Sequence, residues 1–272
     1  GHPEGLFAMA LKPRGSIQTI WTMLSTKSPK SRNPRYRLLF WLARIRKTRI
    51  ITQTEEIERE YHEQGFTNLR TIPNPVLVPS KKKSFSNSRT PFRIIAVGRL
   101  VAQKSYEKML DALAILEQNQ SDWTCRIVGE GPLQDTLQKQ AKDLGIESKV
   151  EFSGWSRDVR SLLSDSDLYL ITSFVEGQPN SLLEAMSESL PSVSTDFDGG
   201  AAADLLKTTS AGLVVPVGDT SAIAAAIETL MLDPELRKEM GTKARQVMEP
   251  LSIEKVTARW SQELGLTESG RP

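Results

Sequence analysis

Two acids, Glu176 and Glu184, stand eight positions apart in the segment FVEGQPNSLLEAMSESLP, residues 174–191. Glu176 lies in a turn punctuated by Gly177 and Pro179, and Glu184 falls among residues that read as the first turn of a helix. A helix start carries backbone N–H groups without carbonyl partners, and these attract an anion. A single acid there needs no ligand, since it complements the helix dipole by about 0.3–1 kcal/mol. Two acids flanking the same amides suit a ligand that is anionic at its centre and hydroxylated on either side. Asn180 reads as the N-cap or its neighbour, which turns the amides of Ser181, Leu182 and Leu183 toward that ligand.

A second group of residues fits the same chemistry. The run FRIIAV ends in Gly98, followed by Arg99 and, five positions later, Lys104. Glycine at the end of a strand allows a sharp turn and close approach of a ligand to the backbone. An Arg grips two oxygens at once and a Lys supplies a mobile point charge, a combination matched to a diphosphate. Taken alone, the two cations would read as ordinary surface charge.

These residues need a scaffold, and the chain provides one. Short apolar runs at 92–98, 124–129, 149–154, 167–172, 192–195 and 212–216 alternate with helical patterns at 105–118, 133–144, 157–164, after Asn180, at 221–232 and at 234–248. Alternation at this spacing predicts an α/β fold, a doubly wound parallel sheet with helices on both faces. Earlier in the chain, 17–24, 37–46, 49–53 and 55–64 read as β-α-β-α. The predicted division is a partial Rossmann-like domain at 1–77, a polar, basic linker at 78–91, and a complete domain at 92–251. In SIEKVTARWSQEL, Ile253, Val256, Trp260 and Leu264 form one apolar stripe, so a final helix over 252–264 is expected to pack back on residues 1–77.

Composition bounds the function. The net charge of +2 conceals an asymmetry: residues 1–54 hold eleven Lys/Arg against the single acid Glu4, net +10, which leaves −8 for the rest. The excess lies in KSPKSRNPRYR and RIRKTR, interleaved with Tyr36, Phe40 and Trp41. It suits a solvated basic face or an anionic membrane surface; no nucleic-acid motif accompanies it. The lone Cys125 excludes an internal disulfide, and the chain shows neither a signal-peptide pattern nor an apolar run long enough to span a bilayer. The expected location is cytoplasmic, peripheral to the membrane.

The segments GRLVAQK, IVGEGPL, VEFSGW, DLYLITS, EGQPNSLLEAMSESLPSVSTD and GLVVPVGD stand in the order and spacing of glycosyltransferase family 4, and over residues 17–264 the chain resembles these retaining GT-B enzymes. The resemblance implies a sugar transferase using a UDP- or GDP-sugar and a glycan or lipid-linked acceptor. By it, Gly98, Arg99, Lys104 and the amides of Asn180, Ser181 and Leu182 hold the diphosphate, Glu184 the ribose, and Glu176 the transferred sugar. Glu176, Arg99 and Lys104 are the implied catalytic group. No metal or further cofactor is expected, because the two cations neutralise the diphosphate; the D-x-D pairs Asp165/Asp167 and Asp196/Asp198 read as chance spacings.

The chain departs from the family pattern in three places. Ser105 stands where a Gly usually follows the lysine, and Asp204 offers a displaced acid after Gly199–Gly200. Leu24 occupies a slot commonly filled by a His, for which neither His2 nor His62 substitutes. With a partial first domain, an unpaired edge is expected at 17–24, to be covered by a second chain, by self-association, or by the rest of a longer enzyme of which this chain is a fragment. The rival expectation is therefore a nucleotide-sugar-binding subunit that depends on a partner. A dinucleotide dehydrogenase is disfavoured, since no G-x-G-x-x-G follows a strand.

Overall fold

The computed structural model of the chain describes residues 5–11, 17–23, 41, 45, 49–80, 90–197 and 201–266. They form two sheets. The first has the order β1-β2-β3-β4, with β1 Gly5–Leu11, β2 Ile17–Met23, β3 Arg49–Thr52 and β4 Leu69–Thr71. β2, β3 and β4 run parallel, while β1 runs antiparallel to β2 in a register from Gly5↔Met23 to Leu11↔Ile17. The expected unpaired edge at 17–24 is corrected here: among the described residues, β2 is bonded on both sides. Leu24 and His2 lie outside the described residues. So do 81–89 of the linker, Asp198–Gly200, and 37–46 apart from Trp41 and Ile45, which are helical.

Helix α1 (Glu55–Glu63) joins β3 to β4. Thr54 caps it by accepting from the Ile57 N–H at 3.2 Å, and Glu55, Glu56 and Glu58 complement the dipole in its first turn. Its apolar face sets Ile57 and Tyr61 against Ile50, Phe66 and Leu69.

The second sheet is wholly parallel in the order β10-β9-β8-β5-β6-β7. Its strands are β5 Phe92–Val97, β6 Trp123–Val128, β7 Val150–Gly154, β8 Leu168–Ile171, β9 Ser192–Thr195 and β10 Gly212–Val215. The connecting helices are α2 Tyr106–Asn119, α3 Gln134–Asp143, α4 Val159–Ser164, α5 Asn180–Ser187, α6 Ala201–Thr209, α7 Thr220–Leu232 and α8 Pro234–Met248. Period-two alternation of side chains splits the core into two layers. Phe92, Ile94 and Ala96 of β5 meet Leu110 and Leu113 of α2 and Ile223 and Ile227 of α7. Ile95, on the other face, meets Leu182 and Met186 of α5 with Ala244 and Met248 of α8. β8 and β9 are buried along their whole length, as strands covered on both faces must be.

From β5 the chain winds outward to β6 and β7, then returns to β8 on the other side of β5 and continues to β9 and β10. The carboxyl ends of β5 and β8 therefore border the crevice where open α/β sheets take ligands.

Two passages link the sheets. Val76, beyond β4, bridges Ser252, and its N–H donates to Leu251 O at 2.9 Å. After the second passage, α9 (Ile253–Leu264) lies on the first part of the chain. Val256, Trp260 and Leu264 pack with Ile51 and Ile72, and Arg49 pairs with Glu263 at 2.7 Å. Ile253, the remaining member of the predicted stripe, is exposed at the helix start.

Candidate functional site

The loop after β5 begins with Gly98, whose N–H donates to Val128 O at 2.9 Å. A Cβ at Gly98 would stand 3.1 Å from the Tyr106 hydroxyl and 3.3 Å from Lys104 Cε. Close packing of the returning chain is thus what Gly98 permits. The left-handed backbone falls instead at Ser105 (φ 51°), between the 3-10 turn Ala102–Lys104 and α2. Tyr106 donates back to Gly98 O at 3.2 Å, and Gly129 N–H donates to Gly154 O at 2.7 Å.

The loop after β8 is bonded to this one at several points. Thr172 donates to Lys104 O at 3.0 Å, Gln103 Nε2 to Val175 O at 2.8 Å, and Phe174 N–H to Gln103 O at 3.2 Å. These contacts bring Lys104 Nζ to 2.5 Å from Glu176 Oε1, which also accepts from Ser173 Oγ at 2.6 Å. Glu176 is only 7% exposed, so it is a buried, paired carboxylate and not a solvated loop acid. Arg99 is exposed and makes no side-chain hydrogen bond or ion pair among the described residues. The structure thus joins Lys104 to Glu176 and leaves Arg99 apart from both.

Helix α5 starts one residue earlier than the amide pattern expected. Pro179 is the N-cap and Asn180 the first helical residue. The Leu182 and Leu183 N–H groups donate to Pro179 O at 3.0 and 3.3 Å, which removes both from the set of open amides. Asn180 and Ser181, also in the expected set, remain open, with no acceptor for their N–H groups among the described residues. Ser181 Oγ accepts from the hydroxyl of Tyr169 at 2.7 Å, a phenol that burial holds protonated well above its ordinary range. Glu184 lies in the second turn, and no acid occupies the first. The dipole fades within one turn, so it does not account for this carboxylate.

Glu184 lines a cleft of about 780 Å³ between the two sheets, and partial burial there raises its carboxyl pKa. The other walls include Gln53, Asn74, Val76, Arg157 and Asn180. Arg160 and Glu188, paired at 2.5 Å, close one side. Gln53 and Asn74 escaped the sequence reading, although Gln53 directly follows β3 and Asn74 stands in the loop after β4, both at this cleft; a search of all loops beyond the carboxyl ends of strands would have found them. The pair Asp165/Asp167 lies at the amino end of β8, held by the Arg93 guanidinium and by its N–H at 2.9 Å, away from the crevice. Asp196 pairs with Lys207 at 2.8 Å. Among the described residues, no cluster of acids, His and Cys has the makings of a metal site. Cys125 is buried in β6, and burial pushes its thiol up to about 12.

A family model described as glycosyl transferases group 1 matches residues 79–247. A glycosyltransferase of Haemophilus influenzae, itself uncharacterized, is 30% identical over 214 residues, covering 78% of this chain and 60% of that one. An N-acetyl-D-galactosaminyltransferase of Campylobacter jejuni, named for a PP-undecaprenol-linked GalNAc substrate, is 29% identical over 204 residues, 75% and 56% of the two chains. The chain therefore spans little more than half the length of these relatives. In structure it is similar to Anabaena Alr3699/HepE, solved with UDP and glucose, at a TM-score of 0.78 and 22% identity over 90% of this chain and 71% of that one.

Proposed function

Because this chain belongs to the group 1 glycosyltransferases, whose fold is GT-B, we infer that it moves a hexosyl sugar from a nucleoside diphosphate to a hydroxyl of a glycan or lipid-linked acceptor, with retention at the anomeric carbon. The observation that carries this reading is the Lys104–Glu176 pair at the β5/β8 switch point, in the loop that leads into the open amides of α5. Donors and a cation fixed beforehand stabilise charge as it develops on a leaving group, at no cost of reorganisation. In the reaction the bond from the anomeric carbon to the diphosphate oxygen breaks, and its electron pair leaves with the nucleoside diphosphate. The acceptor oxygen bonds to that carbon on the same face, and its proton passes to the departing diphosphate oxygen.

Lys104, Arg99 and the Asn180 and Ser181 amides would receive the diphosphate. Glu176 would contact the transferred sugar, held in place by Ser173 and Lys104, and Glu184 would accept from the ribose hydroxyls. The neutralising charge in this scheme comes from the two cations. The fold of a neighbour solved with UDP and glucose supports a UDP-sugar, and GDP is the alternative nucleotide. Calorimetry with UDP, GDP and ADP, followed by transfer from the sugars of whichever nucleotide binds, tests the reading. Absence of binding by all three would overturn it.

A lipid-linked acceptor draws support from the Campylobacter relative's name and from Trp41 and Ile45, one helical turn apart and 58% and 59% exposed within the basic part of the sequence. A protein held at the cytoplasmic face of a membrane would sediment with anionic vesicles and not with neutral ones. A second reading is a nucleotide-sugar-binding subunit that depends on another chain for transfer. It predicts nucleotide binding without transfer until the partner is supplied.

A further inference from the structure

Three hydrogen bonds of equal length meet at Asn74. Its Oδ1 accepts from Gln53 Nε2 at 2.7 Å, its Nδ2 donates to Asn180 Oδ1 at 2.7 Å, and its backbone N–H donates to Gln178 Oε1 at 2.7 Å. Gln53 follows β3 and Asn74 follows β4, both in the first sheet, whereas Gln178 and Asn180 flank the cap of α5 in the second. The bonds to Gln178 and Asn180 therefore cross the cleft that all four residues line, and the bond from Gln53 anchors Asn74 on the near side. Resting on the reading of the preceding subsection, we propose that Asn74 is a positioning residue: it fixes the turn from Glu176 to Asn180 from across the cleft, and with it the buried carboxylate and the open amides of α5.

Local sequence explains why this turn needs outside support. Gly177 leaves the backbone permissive, and Pro179, the N-cap, has no side chain to accept from the first amides. Asn74 is well made to supply the support, because it stands between two prolines in IPNPV. Pro75 restricts Asn74 to extended backbone, and Pro73 is locked in φ. Its third partner, Gln53, is 8% exposed and aims its amide at Asn74, which sets the orientation of the Asn74 carboxamide. Asn74 donates to side chains and does not occupy the Asn180 and Ser181 amides, so the turn is held while its anion-binding groups stay open.

The test compares the wild-type chain with Asn74→Ala and Asn74→Asp. Asp keeps the acceptor for Gln53 and can take a bond from Asn180 once that amide rotates. Hydrogen exchange of the free protein is read over 174–183, and turnover and KM are read with the nucleotide sugar identified by calorimetry. Asn74→Ala is expected to raise exchange in that segment about tenfold and to lower kcat about tenfold with KM within about twofold; Asp recovers most of both. Unchanged exchange in Asn74→Ala overturns the proposal, and so does a risen KM with kcat intact. A wild-type chain that binds no nucleotide refutes the transferase reading, and the exchange result then judges the contact across the cleft by itself.

Discussion

Glu184 and Arg99 show most clearly how single side chains divide the work at this site. Glu184 is ionised over a narrower range than an ordinary carboxylate, because partial burial raises its pKa. If the carboxylate is what accepts ribose hydroxyls, nucleotide affinity falls as pH drops, beginning above the ordinary carboxylate range. Glu184→Gln is expected to weaken binding and to flatten that dependence; calorimetric titrations at several pH values check both. Arg99, free of partners among the described residues, is available to a diphosphate without breaking an ion pair. Charged hydrogen bonds contribute about 1.5–3 kcal/mol, so Arg99→Ala should weaken nucleoside diphosphate binding about ten- to a hundredfold with stability unchanged. At this scale the sequence disclosed which residue types mattered and left their pairing hidden. Nothing in GRLVAQKS says that Lys104 reaches Glu176, because the two are 72 positions apart and meet only through the loops that follow β5 and β8, neighbours in the sheet. Which of Asn180 and its neighbour Pro179 is the cap was equally illegible, since one residue of helix register changes which amides remain open.

Elements were far more legible than contacts. In the second sheet every strand was marked by a short β-branched run, and α7 and α8 by helical patterns at 221–232 and 234–248; in the structure Asp219 and Asp233 cap them, accepting from Ala222 and Leu236 at 2.9 Å. β1, β4 and α6 were not read: the alternation in GLFAMAL is weak, LRT is only three residues long, and AAADLLKTT follows a Gly-Gly turn. One element boundary has a sharp mechanical meaning. Gly129, at the end of β6, has φ 142°, and a Cβ there would lie 2.0 Å from Gly98 O. Gly129→Ala is expected to cost about 2–4 kcal/mol through backbone strain and collision, and to displace the loop that carries Arg99 and Lys104. Urea denaturation measures the first effect, and nucleotide affinity of the folded fraction the second.

Across the whole molecule, burial of ionisable groups in the two sheets sets a limit at high pH. Cys125 is pushed up to about 12, and burial likewise raises Tyr61, Tyr106 and Tyr169. The folded chain keeps protons that the unfolded chain releases, so this contribution is intact below the ordinary thiol range and is lost as pH rises above about 9. Urea midpoints are expected to fall between about pH 8 and about pH 11, and a thiol reagent should label Cys125 only after unfolding. The two passages between the sheets have a consequence of their own. Two rigid bodies joined at a single point keep three rotations; joined along a seam, as Val76 and Ser252 join these, they keep one. Rotation about that seam would have to break two hydrogen bonds made by a single asparagine, those from Asn74 to Gln178 and to Asn180.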